Sequence, residues 1–499
     1  MQTQPLLRLL SCGILCFSVG RAVAQTSPQA QPNSVEIPAT PAGRLLSGWL
    51  AAFNSGDEET IQNFQFDHLD PAGVADPARR LRMELNLRQR TGGFDLEKIE
   101  DSKEKKISGI VREKNSDHRA RITLEVSDND ATRIGDFGID LLPGPGKGPS
   151  PAREEPPPAK EPVNQITQEV DTRLTEMAAK DEFSGALLLA KNGKILWEKA
   201  YGLADREAKI PNTVKTQFRL GSMNKMFTSV AVAQLVQQGK LKFSDTLVTA
   251  LPDYPNKEVA AKITVEDLLT HTSGLGDFFT PEFDKKKDSF HELKDYLPLF
   301  VNKPLAFEPG KGWSYSNAGF LVLGLIIEKI SGENYYDYVQ HHIYDVAGMK
   351  NSGSPRATDK VPGLAVGYTR EDDNEPLRPN ADTLPWRGSS AGGGNSTVED
   401  LLKFDQALRQ NKLLSPDLTH RVTTGKVHPP QFPEGMKYAY GFGEKMVDGK
   451  RVVGHNGGAP GMNGALDMHW DTGYTVVVLS NRDPRIADDW AKFISARLP

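Results

Sequence analysis

The sequence predicts an α+β protein in two unequal parts, a small helix-then-strand unit followed by a larger one with strands near both ends. Three observations carry this. Residues 143–162, PGPGKGPSPAREEPPPAKEP, hold eight prolines in twenty positions and divide the chain; such a stretch extends rather than packs. Before it, the apolar period changes from helical (Leu45, Leu46, Trp49, Leu50, Phe53) to alternating (Ile122, Leu124, Val126), which suggests an α+β layer. After it, apolar runs at 185–190 and 194–200 flank Asn192-Gly193, a strong hairpin signal, and strand-like runs return at 466–479. A chain of 499 residues suits two or three domains.

Residues 1–24 read as a secretory signal: Arg8 is a weak positive flank, Leu9 to Gly20 an apolar core, and Ala22-Val23-Ala24 a small-residue cleavage site. The alternatives are a membrane anchor, for which the run is short of the roughly 20 apolar residues needed, and a lipid on Cys12. Cleavage would remove both cysteines, Cys12 and Cys16, leaving no disulfide or thiolate. Residues 35–142 form the expected accessory α+β domain, with helices near 45–53, from Glu58 and over Ala78–Gln89, then strands. Residues 143–162 are the linker and 163–499 the larger domain. There, helices are expected over Gln165–Ala179, Ser222–Gln238 ending at Gly239, Leu321–Ile330 and Ile486–Ala496, with a buried strand over Tyr474–Leu479.

The formal charge of −5 offers no basic footprint, so nucleic acid is not an expected partner. No segment after the signal is long and apolar enough to span a membrane. There is no H-E-x-x-H, and His271, His291, His341, His342 and His469 are not spaced as ligand pairs. Neither metal nor cofactor is expected. Glu371-Asp372-Asp373 reads as a solvated loop, and the expected partner is a small-molecule or peptide substrate.

The chemistry is concentrated in three short boxes. In FRLGSMNKMFTSV, Ser222 stands where a long helix begins and Lys225 lies three residues on. That spacing puts the amine on the serine's face, and the helix start favours negative charge nearby. Alone, Ser-x-x-Lys is equally an N-cap serine with a surface lysine, and it recurs at Ser102–Lys105 inside a charged run. In FEPGKGWSYSNAGF, Tyr315 and Asn317 are two apart in an extended loop and point the same way, a phenol able to pass a proton and an amide able to hold a carbonyl. Tyr254-Pro255-Asn256 copies the triplet in a turn. The third box, His455-Asn456-Gly457 followed by Gly458, comes after a short strand where glycines let backbone approach a ligand.

In order and setting the boxes resemble the serine β-lactamase and penicillin-binding-protein superfamily, in its class C β-lactamase, D,D-peptidase and esterase branch. ITVEDLLTHTSGL, AGGGNSTVEDLLKF and VVVLSN agree, so the resemblance spans about 165–499. It implies an antiparallel sheet built from both ends of the domain, flanked by helices and beside a helical subdomain. It also implies a serine acyl-enzyme on Ser222, with Lys225 and Tyr315 removing its proton and which of them is the formal base left open. By the same resemblance Asn317 holds the scissile group, Ser222 and Gly458 N–H groups form the oxyanion hole, and His455, Asn456 and Gly457 line the substrate. Many β-lactam-binding relatives have Lys-Thr-Gly at the third box; His455-Asn456 lacks that fixed charge and hydroxyl, as in esterase- and D-peptidase-like branches. Esters or short acyl compounds, D-amino-acid peptides and β-lactams are the substrate candidates, in that order. Separately, WLAAFNSGDEETIQNF resembles the opening helices of NTF2-like domains, on that one stretch.

Two rivals remain. Gly388–Gly392 fits G-x-S-x-G, with Ser390 as nucleophile, but Pro385-Trp386 precede it and Gly392–Asn395 separate it from the next helix, contrary to an elbow. A non-catalytic, penicillin-binding-like sensor is the other, against which the joint presence of Ser222, Lys225 and Tyr315 argues.

Overall fold

The computed structural model describes residues 35–70, 77–116, 118–127, 130–141, 159–370, 375–429 and 432–499. The expected signal at 1–24, most of the proline-rich stretch and the acidic run at 371–373 lie outside the described residues.

In the N-terminal unit three helices, α1 (Pro41–Ser55), α2 (Glu58–His68) and α3 (Pro77–Thr91), precede four strands, β1 (Phe94–Ser102), β2 (Lys106–Glu113), β3 (Arg119–Val126) and β4 (Ile134–Leu141). The strands pair in sequence order as an antiparallel meander. Asp57 caps α2 by accepting from Thr60 N at 2.8 Å. Along β3 burial alternates as the sequence does, placing Ala120, Ile122, Leu124 and Val126 against Leu46, Trp49 and Phe53 of α1.

The larger unit opens with α4 (Val163–Ala179) and the hairpin β5 (Gly185–Lys191) and β6 (Lys194–Tyr201). Asn192 and Gly193 both take positive φ, 51° and 77°, as a two-residue hairpin turn that matches strand twist requires. Helices α5 (Asn224–Gln237), α6 (Val265–Thr270), α7 (Asn317–Ser331) and α8 (Val398–Arg409) form the middle. Strands β7 (Met436–Tyr438), β8 (Gly443–Val447), β9 (Lys450–Ala459), β10 (Met462–His469) and β11 (Tyr474–Ser480) follow, then α9 (Ile486–Arg497). The seven strands form one antiparallel sheet in the order β7-β8-β9-β10-β11-β5-β6, so both ends of the unit meet at β11 and β5.

This sheet is covered on both faces, which is why β10 and β11 are buried at every position and why β11 carries the unbroken apolar run Val476–Leu479. Leu187, Leu189, Val476 and Val478 face α4 and α9. Leu188, Val477, Leu466 and Leu479 face a second core containing α5, α7 and α8. Helix α5 is buried at twelve consecutive positions, Asn224 to Leu235, and so runs through the middle of that core. No helix among the described residues is long and apolar enough to cross a membrane.

Candidate active site

Ser222 sits in a single 3₁₀ turn, Gly221–Met223, that feeds α5. Met223 occupies the cap of α5 and provides no side-chain hydrogen bond, so Ser222 is not there as a capping serine. The turn lies hard against β9. A Cβ on Gly457 would fall 2.0 Å from the Leu220 carbonyl oxygen and 2.9 Å from Ser222 N, and Gly221, at φ 54°, would meet Gly458 N at 3.0 Å. Only glycine lets these backbones approach, and the result is that the Gly457–Gly458 backbone lies against Gly221–Ser222.

Lys225 is fully buried. Its Nζ lies 3.3 Å from Ser222 Oγ and 2.8 Å from Asn317 Oδ1, and it also donates to the Ala391 carbonyl. The amine stands 4.6 Å from the centre of the Tyr315 ring. Burial pushes its pKa down to about 7, opposed by the Asp277 carboxylate. The Tyr315 phenol is hydrogen-bonded to Ser222, and burial raises its pKa. It therefore keeps its proton at neutral pH.

Tyr315 and Asn317 arrive together because Ser316 between them caps α7. Its hydroxyl accepts from Gly319 N at 3.0 Å and donates to the Gly276 carbonyl at 2.8 Å. Asn317 then donates from Nδ2 to Asp277 Oδ2 at 2.7 Å, which fixes the amide with its oxygen towards Lys225. Asp277 was not among the residues singled out from the sequence. Neither was Ala391, held by Thr228 donating to the Ser390 carbonyl at 2.7 Å and Asn224 donating to the Ser389 carbonyl at 3.0 Å. Asp277 lies in no quoted motif, and Ala391 opens AGGGNSTVEDLLKF without any sign that its carbonyl meets a lysine, since both act by tertiary approach.

The third box divides by strand alternation. His455 pairs with Leu466 in the α5 core, whereas Asn456 pairs with Ala465, which faces α4 and α9. Asn456 is hydrogen-bonded to Asp488 of α9, a carboxyl whose pKa burial raises to about 6. The structure thus brings Ser222, Lys225, Tyr315, Asn317, His455, Gly457 and Gly458 together and leaves the Asn456 side chain on the other face. The two-residue period separates them because the strand continues through the box, which the sequence places after a short strand.

The decoys resolve in their bland sense. Ser390 is fully buried and its hydroxyl points at the Leu321 carbonyl, 3.5 Å away; Ser389 and Gly392 bridge in a tight turn, with no strand–helix elbow. Tyr254 is core, and Asn256 caps a short helix by accepting from Val259 N. Among the described residues no group of three or more His, Cys, Asp or Glu could hold a metal.

The fold and the clustered serine, lysine and tyrosine define a protein of the serine-hydrolase superfamily that includes β-lactamases and penicillin-binding proteins. The chain belongs to the Beta-lactamase family, whose profile matches residues 170–497. It is 30% identical over 332 residues to penicillin-binding protein 4* of Bacillus subtilis, covering 63% of this chain and 71% of that one. The crystal structure of a penicillin-binding protein from Bacillus halodurans superposes with a TM-score of 0.58 at 32% identity, over 64% of this chain and 97% of that one. A D-stereospecific amidohydrolase from a Streptomyces species gives 0.56 at 27% identity, over 67% and 98%.

Proposed function

We propose that this protein is an exported serine acyl hydrolase that works through an acyl-enzyme on Ser222, with Lys225 as the base. The observation that carries the reading is the fully buried amine 3.3 Å from the serine oxygen, with a pKa near 7. Three acceptors surround that amine, the donor capacity of an ammonium. A neutral amine has a lone pair and gives up one donation, and the longest of the three contacts is the one to Ser222. Its lone pair then faces the serine hydroxyl.

In the first step the Ser222 proton passes to Lys225 as Oγ attacks the acyl carbon. The oxyanion is received by the N–H groups of Ser222 and Gly458, each such donor worth about 2.7–4 kcal/mol in comparable hydrolases. Tyr315, a phenol rather than a phenolate, gives its proton to the departing alkoxide or amine and is reprotonated from Lys225. Water then repeats the sequence on the acyl-enzyme. Proton transfer by a positioned base supplies about 10²- to 10⁴-fold.

Esters and D-configured amides fit this site best. The Streptomyces protein of similar fold is a D-stereospecific amidohydrolase, and the third box offers no fixed cation for a substrate carboxylate. Export rests on the signal-like residues 1–24. The test is intact-mass labelling with a fluorophosphonate, then turnover of nitrophenyl esters and D-alanyl amides by wild type and Ser222→Ala. An adduct on wild type alone, with turnover, supports the reading. A folded protein that takes no label and turns over neither substrate is a binder.

A further inference from the structure

Behind Tyr315 runs a chain of four hydrogen bonds whose direction admits one solution. The Ser316 backbone N–H lies 3.0 Å from His271 Nδ1, and a backbone amide can only donate, so Nδ1 carries no proton. His271 is buried and its pKa is driven well down, so the ring is neutral and Nε2 holds the hydrogen. Nε2 donates to the Tyr438 oxygen at 3.1 Å. The single Tyr438 proton is then directed at His455 Nε2, 3.0 Å away. With Nε2 an acceptor, the His455 proton sits on Nδ1 and is given to the Asn456 carbonyl. Both nitrogens of His455 are consumed inside the protein.

The chain is expensive to assemble, which argues that it is not incidental. His271 ends α6 in the left-handed conformation, φ 62°, where glycine is the usual residue. Tyr438 comes from the edge strand β7 and is itself buried. We infer that Tyr438 sets the specificity of the third box: it holds His455 as a neutral acceptor, so the site favours acyl compounds with an uncharged leaving side and rejects a leaving-side carboxylate. The inference rests on the acyl-hydrolase reading above.

The charged and titratable groups near His455 come from α5, from the Tyr315 loop, from β7 and, behind the strand, from α9. Lys225 of α5 disfavours an imidazolium, and burial depresses the His455 pKa to about 4. Tyr315 faces the ring at 6.5 Å between centroids and Tyr438 at 5.8 Å, with His271 packed on Tyr438 at 4.8 Å. Behind the strand, Asp488 at Asn456 adds a negative charge that repels a carboxylate once ionised.

The experiment uses the ¹⁵N-histidine spectrum together with a substrate pair, N-acetyl-D-alanyl-D-lactate and its C-terminal amide, which differ only in the carboxylate. In wild type His455 should show a protonated Nδ1 and a bare Nε2 from pH 5 to 8. In Tyr438→Phe, which keeps the ring and deletes only the donor, the His455 pKa should rise and the carboxylate-to-amide ratio of kcat/KM at pH 5.5 should climb about tenfold over wild type, the size of one charge-assisted hydrogen bond. Titration of Lys225 and Asp488 is shared by both proteins and cancels in that comparison. His455→Lys should show the higher ratio at every pH. A wild-type spectrum with Nε2 protonated overturns the inference, as does an unchanged ratio in Tyr438→Phe despite a raised His455 pKa. If the tautomer is as stated but neither substrate is turned over above the Ser222→Ala background, the hydrolase reading fails, and the specificity role fails with it.

Discussion

The chain contains two Ser-x-x-Lys sequences, and they end up in opposite surroundings. Ser102 closes strand β1 and Lys105 stands exposed in the turn before β2. Ser222 and Lys225 lie in the turn and first residues of α5, with the lysine fully buried. The four residues are equivalent in composition. What differs is that three remote segments close on the second pair: the Tyr315–Asn317 loop, the Ala391 carbonyl and the glycines of β9. An amine becomes a base at neutral pH by losing its water, and that takes a fold rather than a motif.

The largest expected contrast is between the serines. Ser222→Ala should lower ester turnover by about 10⁴-fold or more and abolish the fluorophosphonate adduct, while Ser102→Ala should change neither. Kinetics and intact mass read both. An adduct surviving in Ser222→Ala would place the nucleophile elsewhere.

The lysines come next. Lys225→Met should cost about 10²- to 10⁴-fold in kcat and yet raise the melting temperature at pH 7 by a few degrees. The sign follows from linkage. The folded pKa is about 7 against 10.5 for an ordinary lysine, so between those values the unfolded chain binds the extra proton. The amine therefore burdens stability most at and below pH 7, and the burden fades as pH rises towards 10.5. The melting gap between Lys225→Met and wild type should narrow over that range. A variant that melts lower at pH 7 would mean the lysine's three hydrogen bonds outweigh its desolvation.

The pH profile sharpens the same contrast. With Lys225 required as the free amine, kcat/KM for a neutral ester should fall about tenfold per unit below pH 7 and level off above it. His455, near 4, stays neutral across that limb. A limb near pH 10 would show Lys225 to be hydrated like an ordinary lysine rather than buried.

How much of this could be read from the sequence follows from where the information lies. Ser222–Lys225, Tyr315–Asn317 and His455–Gly458 are short contiguous boxes on recognisable elements, and the hairpin at Asn192-Gly193 and the run at Tyr474–Leu479 are signalled locally. Asp277 and Tyr438 carry no local signal, and His271 and Ala391 lie in the stretches ITVEDLLTHTSGL and AGGGNSTVEDLLKF without any sign of their roles, because each of the four acts through a partner 40 to 167 residues away. Asn456 is a different failure. The sequence reading placed the box after a short strand, whereas β9 runs on to Ala459 and so puts Asn456 on the face opposite His455.

The smallest effect tests whether the buried pair still feels charge that the exposed pair does not. Asp277 accepts from Asn317 and raises the Lys225 pKa. Asp277→Asn keeps an oxygen for the Asn317 amide and removes only the charge, so the acid limb should move to lower pH by less than one unit. At pH 6 activity should rise about twofold, and at pH 8 it should hardly change. The exposed counterpart is Asp101, 3.3 Å from Lys103 beside the other serine. Solvent screens that pair, and Asp101→Asn should leave the profile where it is. A limb that moves upward in Asp277→Asn, or a loss of kcat at pH 8, would mean that Asp277 acts by holding Asn317 in place rather than through its charge.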